Sequence, residues 1–423
     1  MAELVPQNVV DRLFTALRGN APWNVHAEWF VGGAVDVGRL ADAVAATVRE
    51  HPLLRARQGP DGVWVVPDGV TPPPVGEMTA VGEPAVEHLR GRLVSAPFDL
   101  RRDPPVRFDV VRAREGDHVV VVADHALVDG IGISRTLISL MAHYTLGGRP
   151  SVDRTWRAAH RLAAPPAPEH RAEAILRELA RRATPTAVRL AREHQRDETG
   201  YGVAYRELSA AARAALASAP SGPASANDRL VAAFCLAGMQ WNRSSGRPAL
   251  PFSAGVPVNL RPARTWFEGV CNAALPWPVR VDDEDPAAVL AQVSDQLRPV
   301  RAGLYSPGMR ALLGYLAQRQ ELTVRERHAL ATTTLVSTVP GADVARAHLP
   351  PGVASARFYG GSPASPPMAM TFAVAPDAGS HRMSARYLLS HHTAEGAARF
   401  LSMVDFAVLR LCEPDGPKVT VLL

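Results

Sequence analysis

Residues 117–144 place a buried strand, a short polar turn and a helix in immediate succession, and this stretch constrains the fold more than any other. It reads DHVVVVADHALVDGIGISRTLISLMAHY. Val119 to Ala123 is an apolar, β-branched run, which is typical of a strand buried on both faces. From Ile131 to Tyr144 the apolar residues follow helical spacing instead. The turn between them therefore holds polar side chains at the end of a buried strand.

His125, in that turn, is the candidate base. The unperturbed pKa of imidazole, about 6.5, allows it to take and return a proton near neutral pH. The alternative is a histidine that only makes structural hydrogen bonds, which is the commoner role at a strand end. The spacing His125-x-x-x-Asp129-Gly130 favours the functional interpretation. Asp129 need not touch the histidine, because a carboxylate there can pair with an arginine instead, and Gly130 allows backbone angles that other residues avoid.

The turn sequence DHALVDG resembles the HHxxxDG motif of the condensation domains of nonribosomal peptide synthesis. The shorter form HxxxDG is shared by chloramphenicol acetyltransferase, plant acyltransferases and polyketide-associated ester synthases. The resemblance implies that His125 is the active-site histidine, Asp129 a structural carboxylate and Gly130 the turn glycine. Asp124 stands where the longer motif has its first histidine. Since neighbours in a strand point to opposite faces, we expect Asp124 to face away from the reacting centre.

Other segments carry the same resemblance over most of the chain. They are GAVDVGRLADAVAATVREHPLLRARQ near the start, an Asn-Asp pair before a helix, VPVNLRP and VSTVPG. The resemblance implies an α/β (α+β) fold of two chloramphenicol acetyltransferase-like halves. Each half would be a mixed sheet with helices, and the two would meet at a substrate tunnel with His125 where two substrates enter from opposite faces.

The chain divides by composition into three regions. We expect an N-terminal acyltransferase half in residues 1–150, a helical connection in 151–200 and a C-terminal acyltransferase half in 201–423. The connection is rich in alanine, arginine and glutamate, and its stretch from Glu169 to Glu198, interrupted at Pro185, is interpreted as helical.

Four predictions concern polar residues of the C-terminal region. Arg261, just after a strand, is the candidate partner of Asp129, because the family pairs an arginine with the motif aspartate; the alternative is an ordinary surface arginine. Ser337 and Thr338 are candidate donors to an oxyanion or tunnel-lining residues, with a plain strand role as the favoured alternative. Asp124, of the N-terminal region, is kept with Ser337 and Thr338 as a further candidate. Asn259 and Asn272 are expected to have turn roles, with lining of the tunnel as the alternative. An N-cap is expected at Asn227 or Asp228 before the helix from Leu230 to Trp241.

The composition is that of an ordinary globular protein, with 423 residues, 47% of them hydrophobic and 21% charged. No apolar run reaches the roughly 18 residues of a membrane helix, and the N-terminus lacks a signal-peptide pattern. Three cysteines, far apart in sequence, fit no zinc or disulfide pattern, which favours a reducing cytoplasm. We also expect no metal at His391 and His392, since adjacent strand residues point apart.

The net charge is +5, and Lys418 is the only lysine, so the positive charge is almost entirely arginine. We interpret this mainly as the codon usage of a GC-rich genome. The functional alternative is a surface that attracts coenzyme A or an acidic carrier protein. The arginines are interspersed with acidic residues, which disfavours nucleic acid as a partner.

These observations predict a freestanding cytoplasmic enzyme that joins a thioester-activated acyl group, on coenzyme A or a carrier-protein phosphopantetheine, to an amine or alcohol. His125 would take the proton of the attacking group, with no permanently bound cofactor and no metal. One alternative is a cyclase, isomerase or dehydratase acting on a tethered intermediate. The other is a noncatalytic module that docks a carrier protein.

Overall fold

The structure is a computed structural model of the chain. It describes residues 2–17, 22–147, 155–160, 173–174, 177–178, 188–218, 224–261, 266–301, 336–338, 357–361, 368, 370–377 and 380–412. Helices and strands are interspersed along these residues, as the mixed α/β prediction requires. The helices are α1 Val9–Leu17, α2 Val37–Glu50, α3 Glu83–Ser95, α4 Gly130–Leu146, α5 Thr155–His160, α6 Ala210–Ser218, α7 Ala226–Ser244, α8 Pro286–Arg301 and α9 Ala394–Cys412.

The strands form four sheets within the described residues. They are β1 Glu3–Pro6, β2 Asn24–Val31, β3 Arg57–Gln58, β4 Val63–Val66, β5 Val75–Thr79, β6 Val106–Ala113, β7 Gly116–Asp124, β8 Tyr201–Glu207, β9 Phe252–Asn259, β10 Ala274–Val281, β11 Val336–Thr338, β12 Arg357–Gly361, β13 Met370–Asp377 and β14 Ser380–Leu388. The two smaller sheets have the strand orders β1-β4-β3 and β10-β9.

β7 is the middle strand of a five-stranded sheet with the order β12-β2-β7-β6-β5. Every residue of β7 is buried, which explains why its sequence is a continuous valine run instead of an alternating one. It pairs antiparallel with β2 and β6. The register places Asn24 opposite Asp124, so the DHALVDG turn leaves the sheet beside the first residues of β2.

Helices cover both faces of this sheet. Trp29 of β2 packs edge-on against Tyr144 of α4, with ring centroids 5.7 Å apart. Glu28, its neighbour in the strand, points the other way and bonds Arg90 of α3. The alternation of β2 therefore fixes α4 on one face and α3 on the opposite face.

The second large sheet has the order β11-β13-β14-β8. One of its faces packs against α7 and α9 through the rings of Phe234, Phe372 and Phe400, with centroids 4.8 and 4.6 Å apart. β12 comes from the same region of the chain, yet it pairs with β2 in the first sheet. The two large sheets are thus linked by a strand that the C-terminal region contributes to the N-terminal sheet.

The predicted strand and helix around His125 are present. The helix predicted from Ile131 to Tyr144 extends over Gly130–Leu146. The helical prediction for the connection holds for residues 173–174 and 177–178 and is wrong for residues 188–198, which contain no helix. Val188 forms a parallel bridge with Phe252, and the backbone N–H of Glu193 donates to His391 O at 3.0 Å. Tertiary backbone pairing there outweighs the helix propensity of an Ala/Arg-rich sequence.

The N-cap of α7 also differs from its prediction. Ser225 is the cap, and Asp228 is the third helical residue of a reciprocal capping box. The Ser225 hydroxyl accepts from Asp228 N at 3.2 Å, and the Asp228 carboxylate accepts from Ser225 N at 2.8 Å. The signal was in the sequence, since Ser-x-x-Asp before an apolar run is the pattern of a capping box.

Candidate active site at His125

The end of β7 is anchored by backbone hydrogen bonds to two neighbouring segments. Asp124 N donates to Pro105 O at 2.9 Å, and His125 N donates to Trp23 O at 2.7 Å. The Asp124 carboxylate accepts from Ala126 N at 2.9 Å and is itself buried. These bonds place the backbone of His125 between the start of β2 and the turn that leads to α4.

The imidazole of His125 is held mainly by packing. It stacks on Phe14 of α1, with centroids 4.1 Å apart and an interplanar angle of 11°. Its Nδ1 is buried and makes no hydrogen bond to another described residue. The residue is 8% exposed, so it lies just below the surface of the described structure. Phe14, which the sequence analysis did not single out, therefore sets the plane of the ring.

Asp129 fills two structural roles at once. Its carboxylate caps α4 by accepting from Gly132 N at 2.8 Å. It also accepts from Ala273 N at 2.8 Å and from both terminal nitrogens of Arg261, at 2.7 and 3.0 Å. This is the pairing of Asp129 with Arg261 that the sequence analysis expected. Both side chains are buried, and together they join the start of α4 to the β9–β10 region.

Arg261 uses its remaining donors on backbone carbonyls. Its Nη2 donates to Cys271 O at 2.9 Å and Gly269 O at 3.2 Å, while Nε donates to Gly269 O at 3.3 Å. Its own N–H donates to the Asn259 side chain at 3.1 Å. A guanidinium held by so many bonds is a fixed part of the framework, which agrees with the structural role expected for the pair.

Two glycines lie in the first turn of α4. Gly130 is the first residue of α4, and its φ is not in the left-handed region. Its expected role as the turn glycine stays a prediction. Gly132 is the residue under constraint, because a Cβ there would lie 3.0 Å from Cys271 O and 3.0 Å from Val128 Cγ1. Close approach of the β9–β10 region to α4 explains a small residue at position 132.

The two asparagines have supporting roles. Asn259 Nδ2 donates to Trp266 O at 2.9 Å, so it stabilises its own turn, as the sequence analysis expected. Asn272 Nδ2 donates to His125 O, and Asn272 O accepts from Asn8 Nδ2 at 3.0 Å. Asn272 thus links the α1 N-terminus to the backbone of the candidate base, which the sequence did not indicate.

The remaining candidates lie apart from the imidazole or outside the described side chains. The backbone of Ser337 and Thr338 lies in β11, paired in parallel with Ala373 and Val374, and their hydroxyl groups are outside what the structure describes. Their oxyanion role stays a prediction. The Asp124 carboxylate bonds the backbone of its own turn and acts electrostatically on Arg107 of β6.

Burial and charge set the protonation of these groups. Burial lowers the pKa of His125 to about 4, although the nearby Asp129 carboxylate acts in the opposite direction. Burial alone would raise the pKa of Asp129, but Arg261 and two backbone N–H groups hold it below its ordinary value. At neutral pH the site therefore combines a neutral imidazole with a carboxylate whose charge is taken up by an arginine.

A second set of polar side chains lies between the two large sheets. His26 Nε2 and the Tyr205 hydroxyl are 2.7 Å apart. The buried Glu28 carboxylate accepts from Arg90 at 2.6 and 2.8 Å and lies 2.6 Å from His118 Nδ1. No local sequence pattern indicates this cluster, because its members come from four separate elements, β2, α3, β7 and β8.

No group of three or more metal-ligating side chains occurs among the described residues.

His392, one of the two adjacent histidines of the sequence analysis, lies 3.5 Å from Glu193 and packs against Trp241, with centroids 6.0 Å apart. Burial lowers the pKa of His392 to about 3.

In the part of the chain that is described, no helix is long and apolar enough to span a membrane.

Comparison with known proteins gives relatives and a shared fold. No family model matches the sequence. Two uncharacterized proteins of Mycobacterium tuberculosis, from strains CDC 1551 / Oshkosh and ATCC 25618 / H37Rv, are each 28% identical over 337 residues. The aligned part covers 70% of this chain and 73% of each relative.

Solved structures match almost the whole chain. The first condensation domain of the calcium-dependent antibiotic synthetase, with a substrate analogue, gives a TM-score of 0.71 at 14% identity over 97% of both chains. A mutant starter condensation domain of rhizomide synthetase, in complex with C8-CoA and Leu-SNAC, gives 0.65 at 14% identity over 97% of this chain and 94% of that one. The epimerization domain from the third module of tyrocidine synthetase B gives 0.64 at 17% identity over 98% and 97%.

Proposed function

We propose, starting from the fold that this chain shares with condensation domains, that it is a condensation-type acyltransferase of secondary metabolism. The reaction joins an acyl group, activated as a thioester, to an amine or an alcohol and forms an amide or an ester. The donor is carried by coenzyme A or by the phosphopantetheine of a carrier protein. His125 is the residue that we assign to proton transfer.

The observation that carries this proposal is a neutral histidine held at a fixed place. The backbone of His125 is bonded on both sides, by Trp23 O and by Asn272 Nδ2, and its ring is stacked on Phe14. Burial lowers the pKa of the ring to about 4, so it carries no proton on its second nitrogen at neutral pH. A general base must begin the reaction in that state.

The proton balance of the reaction follows from this state. The nucleophile's nitrogen or oxygen attacks the thioester carbonyl carbon while its proton passes to the free imidazole nitrogen. The carbonyl oxygen becomes an oxyanion, whose negative charge favours the imidazolium that forms beside it. When the C–S bond breaks, the thiolate receives the proton from His125 and the ring returns to its neutral form. Proton transfer of this kind contributes roughly 10²–10⁴ in rate.

Asp129 and Arg261 support the reaction without taking part in proton transfer. Their charges are satisfied by each other and by backbone groups, which leaves neither carboxylate oxygen free to accept a proton from His125. Their function in this proposal is to fix the turn that presents the imidazole. Alignment of the two substrates by such a fixed framework contributes to catalysis in addition to the base.

The nature of the substrates is supported by one solved structure. The rhizomide synthetase domain was captured with C8-CoA and with Leu-SNAC, an acyl donor and an amine-bearing thioester. We assign the same two classes of partner to this chain, as an acyl thioester and a small-molecule amine or alcohol, with no nucleic acid, membrane or metal. Buried free thiols at Cys235 and Cys271 suit a reducing cytoplasm.

The deciding experiment is an acyl-transfer assay with His125→Ala. Purified protein is incubated with a panel of acyl-CoA donors or acyl-carrier proteins and a panel of amines and alcohols, and free thiol and product mass are measured. We expect His125→Ala to reduce transfer by about 10²–10⁴. His143→Ala is the matched control, because His143 lies in the last turn of α4, at the end far from His125, where it bonds Glu50 of α2. Unchanged turnover in His125→Ala would remove this assignment.

The structural similarity to an epimerization domain supports isomerisation as a second candidate reaction. In that case the same histidine moves a proton within a tethered intermediate, and no new acyl bond is formed. The mass of the product separates the two reactions, because isomerisation leaves it unchanged. A His125→Ala protein that still binds a carrier protein, with no chemistry lost, would identify a docking module instead.

A further inference from the structure

Arg386 of β14 is a buried cation whose contacts are unusual for an arginine. It is fully buried. Its Nη1 donates to Asn24 O, its Nη2 donates to Val94 O at 2.9 Å, and its guanidinium lies 4.1 Å from the centre of the Tyr201 ring. Among the described residues no carboxylate pairs with it, and its Nε is buried without a partner. In the part of the chain that is described, its positive charge is therefore met by carbonyl dipoles and by the side chains of Tyr201 and Tyr205.

The contacts of Arg386 place this charge beside the candidate base. Asn24, whose carbonyl accepts from Arg386, lies opposite Asp124 in the β2–β7 register. His125 follows Asp124 and donates its backbone N–H to the carbonyl oxygen of Trp23, the residue just before Asn24. Positions directly across a pair of strands are about 5 Å apart. The guanidinium and the backbone of His125 are thus held at the same end of the sheet.

The other charged and titratable groups around His125 do not all act in the same direction. The Asp129 carboxylate raises the pKa of His125 and acts on it more strongly than Arg386 does, although Arg261 pairs with that carboxylate. On α1, the Asp11 carboxylate bonds His160 and Trp64, at 2.8 Å each. Further groups near the turn are Asp124, which acts on Arg107, the Cys271 thiol and the Tyr201 hydroxyl. Burial raises the pKa of the Cys271 thiol to about 12, and the pKa of Tyr201 is raised as well, so neither carries a charge at neutral pH.

We propose that Arg386 is a positioning residue for His125, whose uncompensated charge disfavours the imidazolium and keeps the ring in its neutral form between turnovers. The role of His125 as the base rests on the function proposed above; the effect of Arg386 on its protonation does not. The same charge reaches His26, which stands two residues beyond Asn24 on the same face of β2. Arg386 thus acts on both His125 and His26.

The titration of both histidines supports this assignment. Burial is the first cause that lowers the pKa of His125, to about 4, and of His26, to about 3, and Arg386 lowers both further. Arg90 also lowers the pKa of His26, whereas Glu28 raises it. Of the two rings, His125 has no second arginine acting on it, so it is the better reporter of Arg386.

The experiment measures the titration of His125 directly by NMR of histidine-labelled protein, with the resonance assigned by its loss in His125→Gln. In the wild-type protein we expect the ring to stay neutral down to about pH 5. In Arg386→Met, which removes the charge and keeps an apolar chain, we expect the midpoint to rise by about one pH unit. Arg386→Lys, which keeps the charge, should titrate within a few tenths of a unit of the wild type.

Arg382→Met is the matched control, because Arg382 lies on the same strand and its charge is taken up by Glu207 at 2.9 Å. It should leave the midpoint of His125 unchanged. The proposal is overturned if Arg386→Met shifts the midpoint no more than Arg382→Met does, or if Arg386→Lys shifts it as far as Arg386→Met. Wild-type titration near 6.5 would overturn it as well, and that measurement needs only the assignment variant His125→Gln to fold.

These outcomes are separable from the fate of the proposed function. If His125→Ala retains acyl transfer while Arg386→Met still shifts the imidazole, the base assignment fails and the electrostatic link stands. If transfer depends on His125 but the titration of His125 is unchanged in Arg386→Met, the base assignment stands and the electrostatic link fails. Where both stand, the acid limb of the transfer rate in Arg386→Met moves to higher pH by the same amount as the NMR midpoint.

Discussion

Arg261 and Arg386 are both buried arginines of the C-terminal region that reach the N-terminal sheet, yet they meet different partners there. Arg261 forms two hydrogen bonds with the Asp129 carboxylate, at 2.7 and 3.0 Å. Arg386 donates to the carbonyl oxygens of Asn24 and Val94. Burial disfavours the charge of each, but the carboxylate raises the pKa of Arg261 above its ordinary value, whereas burial lowers the pKa of Arg386 to about 10.

The difference separates two functions of a buried cation. A charge paired with a carboxylate holds two segments together. A charge met only by dipoles costs more to bury and continues to act on its surroundings. We therefore assign the joining of α4 to the β9–β10 region to Arg261, and control of the imidazole at His125 to Arg386.

The largest effect should follow from breaking the first pair. Asp129→Ala leaves Arg261 buried without its carboxylate, so we expect the free energy of unfolding to fall by about 3–5 kcal/mol. Urea unfolding followed by fluorescence measures this change. Asp295→Ala, which removes the exposed partner of Arg298, is the control and should change stability by less than about 0.5 kcal/mol.

A double substitution sharpens the same test. Arg261→Met alone leaves a buried carboxylate, and Asp129→Ala with Arg261→Met removes both charges. The double variant should lose less stability than the sum of the two single variants, because neither charge is then left unpaired. Simple additivity would mean that the two side chains are not energetically coupled.

Acid should lower the free energy of unfolding through the two buried histidines near Arg386. His125 and His26 have pKa values of about 4 and about 3 in the folded chain, against about 6.5 when unfolded. A lowered histidine pKa gives stability that is present above the unfolded value and lost as pH falls below it, because the unfolded chain binds the proton first. Between pH 7 and 5.5 the proton uptake of the two unfolded rings should lower the free energy of unfolding by about 2–3 kcal/mol.

Arg386→Met is the variant that tests the cause of this acid loss. With the pKa of His125 raised by about one unit, its stability should fall less steeply between pH 5.5 and 4 than that of the wild type, because above pH 5.5 the folded ring takes up little proton in either protein. Denaturant unfolding at several pH values measures both slopes. An identical slope would show that burial alone, without Arg386, accounts for the acid loss.

The sequence predicted those parts of the site that lie close together in the chain. The strand end, His125, Asp129 and the start of α4 all fall within a short stretch, where the change from a valine run to helical spacing is visible. The partner Arg261 was also named, although only through resemblance and its place after a strand. The mixed α/β class was expected on the same grounds.

The parts that were missed depend on contacts between distant segments. Phe14 meets His125 across more than a hundred residues, and Arg386 comes from the last strand. No local pattern indicates such meetings. The non-helical course of residues 188–198 was missed for a similar reason, since its backbone N–H groups donate to Pro251 O and His391 O rather than along a helix. The constraint on Gly132 was hidden because it arises from Cys271 O.

Removing Arg386 at neutral pH should cost less stability than removing Arg261. Arg386→Met leaves no buried charge unpaired, and Val94 O still accepts from Asn24 Nδ2 at 3.0 Å. We expect a loss of about 1–2 kcal/mol, compared with about 3–5 kcal/mol for Arg261→Met. Equal losses, measured by urea unfolding under the same conditions, would contradict the distinction between a paired and an unpaired cation.

Phe14→Leu gives the smallest expected change and separates the orientation of His125 from its charge. The variant removes the ring that stacks on the imidazole at 4.1 Å, which should cost about 1 kcal/mol of stability. Both arginines stay in place, so NMR should find the His125 midpoint still well below 6.5. If the proposed reaction is correct, acyl transfer should nevertheless fall about tenfold, because the ring is no longer held in one plane. A midpoint shift as large as in Arg386→Met would show that Phe14 also controls the charge of the ring, and the two effects would then have one common cause.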